Sequence, residues 1–154
     1  MDEASSAAIK KIYGKLYREL HDRLREQVRG LDRGTLNWRP LPKANSVAIL
    51  VVHTLGAEKD MIRAVRRLES DRDRDSEFKA EADAEELLRM LDEADRDLEE
   101  HLEDLTPSDL MDDRMRKDHD MIKPGLEWMV SNYGHAREHL AQIELTKQLY
   151  DSRT

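Results

Sequence analysis

Apolar residues recur along this chain three and four positions apart, the period of a helix that buries one face, and they do so in four long blocks. The first block predicts a helix from Glu3 to Arg29, with Ile9, Ile12, Leu16, Leu20, Leu24 and Val28 on one stripe and Gly30 as its stop. A loop from Leu31 to Lys43 follows, holding Pro40 and Pro42. The second helix starts at Asn45 or Ser46 as N-cap and runs to Glu69, turning Val47, Leu50, Val51, Thr54, Met61, Val65 and Leu68 inward. Its opening, Val47 to Leu55, is apolar almost all round, which predicts burial on more than one side or a face shared with a second copy.

A charged stretch, Ser70 to Asp83, leads into the third helix, Ala84 to Leu105, where Leu87, Leu91, Ala94, Leu98 and Leu102 keep the period. Thr106-Pro107 closes it, and Ser108 to Lys123 reads as polar and irregular. The last helix, Pro124 to Tyr150, opens on proline in its first turn and buries Met129, Tyr133, Ala136, Leu140 and Ile143. No strand pattern competes. The expected fold is all-α, a four-helix bundle with long connecting loops that permit crossovers, and residues 1–154 form a single domain.

Composition narrows the function. Charged residues reach 39% against 5% aromatic, so the core must be aliphatic beneath a charged surface. The net charge of −8 and the isoelectric point near 5.3 argue against a nucleic-acid partner, because phosphate binding needs a basic face. No apolar run reaches the roughly 20 residues of a membrane span. The start Met-Asp-Glu-Ala-Ser-Ser lacks a basic, apolar leader, so a soluble cytoplasmic protein is expected. There is no cysteine, hence no thiolate nucleophile or Cys-based zinc site within the chain.

Histidine carries the candidate chemistry. His135 and His139 lie four apart on the last helix, on one face, and His53 sits beside the apolar stripe of the second, near Ala57 and Asp60. Two imidazoles one turn apart and a third from a packed neighbour can hold one ion and leave positions open for water or substrate. The same residues also suit hydrogen-bonded core histidines. Three histidines with open positions suit zinc, nickel or iron, with availability deciding. His21, His101 and His119 lie among charges and are read as solvated.

Two further motifs are set aside. His135-Ala-Arg-Glu-His139 fits the H-x-x-E-H string of inverted zinc proteases, but the one Glu after His139, Glu144, lies on the wrong face to supply a third ligand. Asp71, Asp73 and Asp75 open like a calcium loop, yet Ser76 stands where glycine is needed and Ala82 where the closing Glu belongs.

The block from Gly30-Leu31-Asp32 through Leu36-Asn37-Trp38-Arg39-Pro40, then Asn45-Ser46-Val47-Ala48-Ile49-Leu50 leading to His53, resembles the amino-terminal signature of the DinB/YfiT-like superfamily. His135-Ala-Arg-Glu-His139-Leu-Ala-Gln-Ile143 resembles the carboxy-terminal one, so the likeness spans nearly the whole chain. It implies a four-helix bundle, commonly homodimeric, with a divalent metal on His53, His135 and His139. It also implies thiol chemistry, since characterised relatives include S-transferases using bacillithiol, mycothiol or glutathione and a mycothiol-dependent maleylpyruvate isomerase. A metal ion lowers a thiol's pKa as it lowers that of water, and the missing cysteine fits a sulfur that arrives with a low-molecular-weight thiol to meet a small electrophile. Asp60, Asn132 and Gln142 are candidates to orient an imidazole or a bound water. A hydrolase using metal-bound water and a stress-response or interaction protein that binds metal without turnover are the alternatives. A homodimer is expected from the family habit, the apolar start of the second helix and the exposure anticipated for Trp38 and Trp128. Substrate choice is assigned to Ser108–Lys123.

Overall fold

The computed structural model describes residues 1–117 and 119–153. Four long helices form the bundle: α1 (Glu3–Val28), α3 (Val47–Val65), α5 (Ala84–Glu103) and α7 (Gly125–Asp151). Short helices α2 (Arg33–Asn37), α4 (Arg74–Glu77) and α6 (Pro107–Met111) punctuate the connections. Each of these starts on a side chain that accepts from a free backbone N–H: Asp32 from Thr35, Asp73 from Ser76 and Thr106 from Asp109. α3 packs on α5 and α7, and α1 packs on the same two helices. Thus α1 and α3 occupy opposite corners, as do α5 and α7, and two of the three long connections cross the bundle diagonally. Loops of this length make such crossings feasible.

Ends of the long helices follow local chemistry. Ser46 caps α3 by accepting from Ile49 N, and Asp83 with Glu86 forms a capping box on α5. Gly30, at φ +76°, takes the left-handed conformation that ends α1. α3 stops four residues before the expected Glu69: Arg67 turns left-handed at φ 58°, and Leu68 N–H bonds back to the Arg63 carbonyl. Leu68 therefore falls outside the helix and is exposed rather than inward. Gly125 opens α7 where a Cβ would come within 2.0 Å of the Asp109 carbonyl oxygen, so only glycine lets α6 approach.

The core holds most of the expected stripe residues and three surprises. On α1, Ile12 is exposed and Tyr13 and Tyr17 take the inner face. Their hydroxyls find partners there: Tyr13 donates to the Met129 carbonyl at 3.1 Å, and Tyr17 accepts from Asn132 Nδ2 at 2.7 Å. His21 is wholly buried, not solvated, because Glu58 (2.8 Å) and Asp95 (2.6 Å) flank its two ring nitrogens. His101 is also buried, accepting from Arg66 at 2.7 Å, and half-buried His119 meets the Trp128 ring edge-on.

The described part of Ser108–Lys123 holds more regular structure than its sequence implies. Besides α6 it holds β1 (Asp113–Met115), paired antiparallel with β2 (Ile122–Pro124). Three residues per strand are too few to show alternation. Arg114 pins the hairpin by donating to the Val65 carbonyl at 2.8 Å, and Trp128 Nε1 donates to the Arg114 carbonyl at 2.9 Å. Trp128 is thus buried, and Trp38 is half-buried against Tyr150. The apolar opening of α3 is covered by this chain's own helices, so none of these residues calls for a second copy. Among the described residues no helix is long and apolar enough to cross a membrane.

Candidate metal centre

His53 projects from the middle of α3 toward α7, where His135 and His139 share one face a turn apart. The broad α3–α7 contact brings the three together. Each offers one ring nitrogen, and these nitrogens all lie within 4.8 Å of one another. His135 Nε2 and His139 Nε2 are 2.9 Å apart. Neighbouring nitrogens around one ion, at about 2.0–2.1 Å from it, stand roughly 2.9–3.4 Å apart, so the pair is spaced as ligands are. His53 and His139 are buried, whereas the His135 side chain is 49% exposed and opens the cluster to solvent.

The outward nitrogens decide what the inward ones can do. His53 Nδ1 lies 2.8 Å from Glu77 Oε2, and a carboxylate at that position only accepts, so Nδ1 carries the proton. His139 Nδ1 donates to Gln142 Oε1 at 3.0 Å. Both buried rings then present Nε2 as a lone pair. Burial holds the His139 imidazolium pKa below its ordinary value, helped by repulsion from His135 and His53 and opposed by the Gln142 bond. Neutral imidazole is the form that binds metal. Lone pairs converging in a partly buried space repel unless a proton or a cation sits between them.

Glu77 is the group that sequence reasoning missed. It sits at the end of α4, inside the charged stretch that reads as linker, and is buried. Arg72 clamps it, donating from Nε to Oε1 at 2.7 Å and from Nη2 to Oε2 at 2.8 Å. Burial raises the Glu77 pKa, but Arg72 and His53 outweigh it and hold the carboxyl below the usual range. Gly56, one turn after His53, leaves room for it: a Cβ there would meet Glu77 Oε1 at 2.1 Å. Asp73, the α4 cap, was the local signal available for this element. Phe78 then lays its ring 4.8 Å from His53 and walls the site.

The anticipated orienting residues divide. Gln142 reaches His139. Asp60 and Asn132 instead hold Arg116: Asp60 Oδ2 accepts from Arg116 Nε at 3.0 Å and Nη2 at 2.9 Å, and Asn132 Oδ1 from Nη1 at 3.3 Å. Neither bonds any of the three histidines among the described residues. Glu138, the Glu of the protease-like string, is exposed 3.4 Å from His135 Nδ1, and Glu144 pairs with Arg23. Among the described residues, the Ser108–Lys123 segment reaches the site indirectly, as Lys117 donates to the Arg72 carbonyl at 3.0 Å.

A family model for the DinB superfamily matches residues 16–143, a span holding all three histidines together with Glu77 and Gln142 that bond them. The chain belongs to the DinB superfamily. Solved structures agree on the fold of this DinB chain. A conserved protein from Enterococcus faecalis is 17% identical, with a TM-score of 0.76 over 93% of this chain and 97% of its own. A DinB-like protein from Bacillus cereus is 11% identical, with a TM-score of 0.75 over 90% and 91%. YfiT from Bacillus subtilis, described as a probable metal-dependent hydrolase with an unusual four-helix bundle topology, is 14% identical, with a TM-score of 0.74 over 96% and 89%. Nothing matches among curated protein sequences. These identities carry the fold alone.

Proposed function

We propose that this DinB protein is a divalent-metal enzyme that uses His53, His135 and His139 as ligands and transfers the sulfur of a low-molecular-weight thiol to a small electrophile. The observation that carries the metal assignment is the convergence of ring nitrogens whose opposite sides are committed to Glu77 and Gln142. The donor set fits zinc, nickel or iron(II), and three neutral imidazoles leave the ion its full charge for an anionic ligand. Such an ion supplies Lewis acidity, lowering the pKa of a coordinated thiol so that its sulfur is nucleophilic at neutral pH.

The chain's own residues prepare that chemistry. Glu77 fixes the tautomer and orientation of His53 and raises its basicity as a ligand, and Gln142 fixes the tautomer and orientation of His139. Phe78 covers the His53 face and limits water there, while exposed His135 marks the side from which thiol and electrophile enter. The chain supplies no thiol of its own, which is why the sulfur is assigned to a bacillithiol, mycothiol or glutathione type of co-substrate. In the transfer the thiol proton leaves to solvent, a carbon–sulfur bond forms, and the bond to the leaving group breaks with its electron pair.

A second reading is hydrolysis, in which water takes the open position; the description of YfiT favours it. The test begins with metal content per chain in wild type and His139→Ala. Near-stoichiometric metal that is lost in the variant is expected, and a metal-free wild type after reconstitution overturns the proposal. The loaded protein is then given a chromogenic electrophile with and without each thiol. Turnover that needs a thiol is expected; turnover without one selects the hydrolase, and metal without turnover a metal-binding stress-response or interaction protein.

A further inference from the structure

A cleft of about 450 Å³ lies between α3, α5 and the segment Ser70–Asp73. Glu77 borders it, and none of the three histidines does, so Glu77 is a wall shared with the metal centre. The cleft is two-sided in character. Val52 and Leu55 of α3 and Met90 and Ala94 of α5 give it an apolar floor. Around that floor stand Glu58 and Asp60 from α3 and Glu93 and Asp97 from α5, with Asp71 and Asp73 at the rim.

The positive charge in the lining is already spent. Lys59 pairs with Asp71 at 3.4 Å and Arg72 with Glu77. Two of the carboxylates are buried with capacity left over. Glu58, 2% exposed, gives Oε2 to His21, and its second oxygen takes no hydrogen bond among the described residues. Asp60, 1% exposed, gives Oδ2 to Arg116, and its Oδ1 has no partner among them. The buried, unpartnered Oδ1 of Asp60 costs free energy that a cation in the cleft would recover. Burial pushes the Glu58 carboxyl above its usual pKa, and its His21 partner opposes that shift.

A bare metal ion does not suit the place. Among the described residues the only group of three ligand atoms close enough for one ion is the histidine cluster, so these carboxylates are too far apart to close on one. The floor of the cleft is hydrocarbon, from which a metal gains nothing. The volume lies in the range of small-molecule sites, roughly 300–1,000 Å³.

We propose that this cleft binds a small organic cation, a protonated amine on an apolar body, with the ammonium among the carboxylates and the body on Val52, Leu55, Met90 and Ala94. The site does not rest on the metal reading. The probe is 2-phenylethylamine, titrated calorimetrically into the full-length protein, with 2-phenylethanol as neutral isostere and 3-phenylpropionate as anionic one. Saturable one-to-one binding of the amine is expected, with the alcohol and the acid at least about tenfold weaker, equivalent to about 1.4 kcal/mol.

Glu93→Gln with Asp97→Asn removes two charges from the cleft side of α5 at nearly constant side-chain size, and should weaken the amine about tenfold or more; because Asp97 also lies 3.6 Å from His101 Nε2, melting is measured beside it. His139→Ala should leave amine binding intact. No saturable binding at millimolar amine, equal binding of the alcohol, an unchanged double variant with wild-type melting, or loss of binding in His139→Ala would each overturn the assignment. If His139→Ala loses metal yet keeps the amine, the two sites are separate; if wild type holds no metal but binds the amine, only the enzyme reading falls.

Discussion

Glu77 reaches back 24 positions along the chain to place its carboxylate 2.8 Å from His53 Nδ1, while Arg72 holds that carboxylate from the other side. A carboxylate behind a ligand imidazole fixes which nitrogen faces the ion. Partners of this kind are worth about 10–100-fold in metal affinity. Glu77→Gln should therefore weaken metal binding by about that factor and leave helicity unchanged, as read by chelator competition beside circular dichroism. Wild-type affinity in the variant would remove Glu77 from the site.

Gly56 reverses the usual arithmetic of a helical glycine. Alanine inside a helix is ordinarily favoured by about 1 kcal/mol, so Gly56→Ala should stabilise α3 if nothing faced it. Here the new Cβ would fall 2.1 Å from Glu77 Oε1 and drive the carboxylate off His53. The expected outcome is near-neutral stability with metal affinity lowered into the range of Glu77→Gln. Since both changes act through one contact, the double variant should bind no more weakly than Glu77→Gln alone. Fully additive losses would show that Gly56 acts elsewhere.

The bundle was legible because period, caps and breakers agreed along the four long helices, and Ser46, Gly30 and Pro124 marked their ends. His53, His135 and His139 were legible because two share a helical face and the third lies on an apolar helix beside the stripe. Glu77 was not, because its burial depends on Arg72 and on the space left by Gly56, neither of which shows in the periodicity of a charged linker. His21 failed for a similar reason. Its neighbours in sequence are charged, and the two carboxylates that bury it come from positions 37 and 74 residues away. The α1 stripe was misplaced at Ile12 because Tyr13 and Tyr17 were passed over for the aliphatic residues beside them, although their hydroxyls are satisfied inside.

His21 also sets a pH dependence. Burial opposes its charge, but Glu58 and Asp95 outweigh it and raise the pKa to about 9 from an ordinary value of 6.5. A group whose folded pKa is raised contributes stability that is full below the unfolded value and is lost as pH rises through the folded one. Stability should therefore decline between pH 6.5 and about 9. Removing the imidazole leaves Glu58 buried and unpaired, so His21→Ala should cost about 3–5 kcal/mol. Denaturant unfolding on both sides of that window should show wild type losing stability with alkali and the variant losing less. An identical slope in the two proteins would refute the assignment.

Arg116 and Asp60 form a fully enclosed ion pair, their side chains 5% and 0% exposed. Replacing both by hydrocarbon can be neutral, whereas removing one strands the other in a low dielectric. Arg116 also donates to the Ala57 carbonyl and to Asn132, which in turn donates to Tyr17, so it ties α3, α7 and α1 together. Arg116→Met should accordingly destabilise the protein by about 3–5 kcal/mol, and Asp60→Asn added to it should restore a substantial part. Denaturant midpoints of the two variants decide the matter. If Asp60→Asn gives no recovery in the Arg116→Met background, the cost lies in the lost bonds to Ala57 and Asn132 and not in a stranded charge.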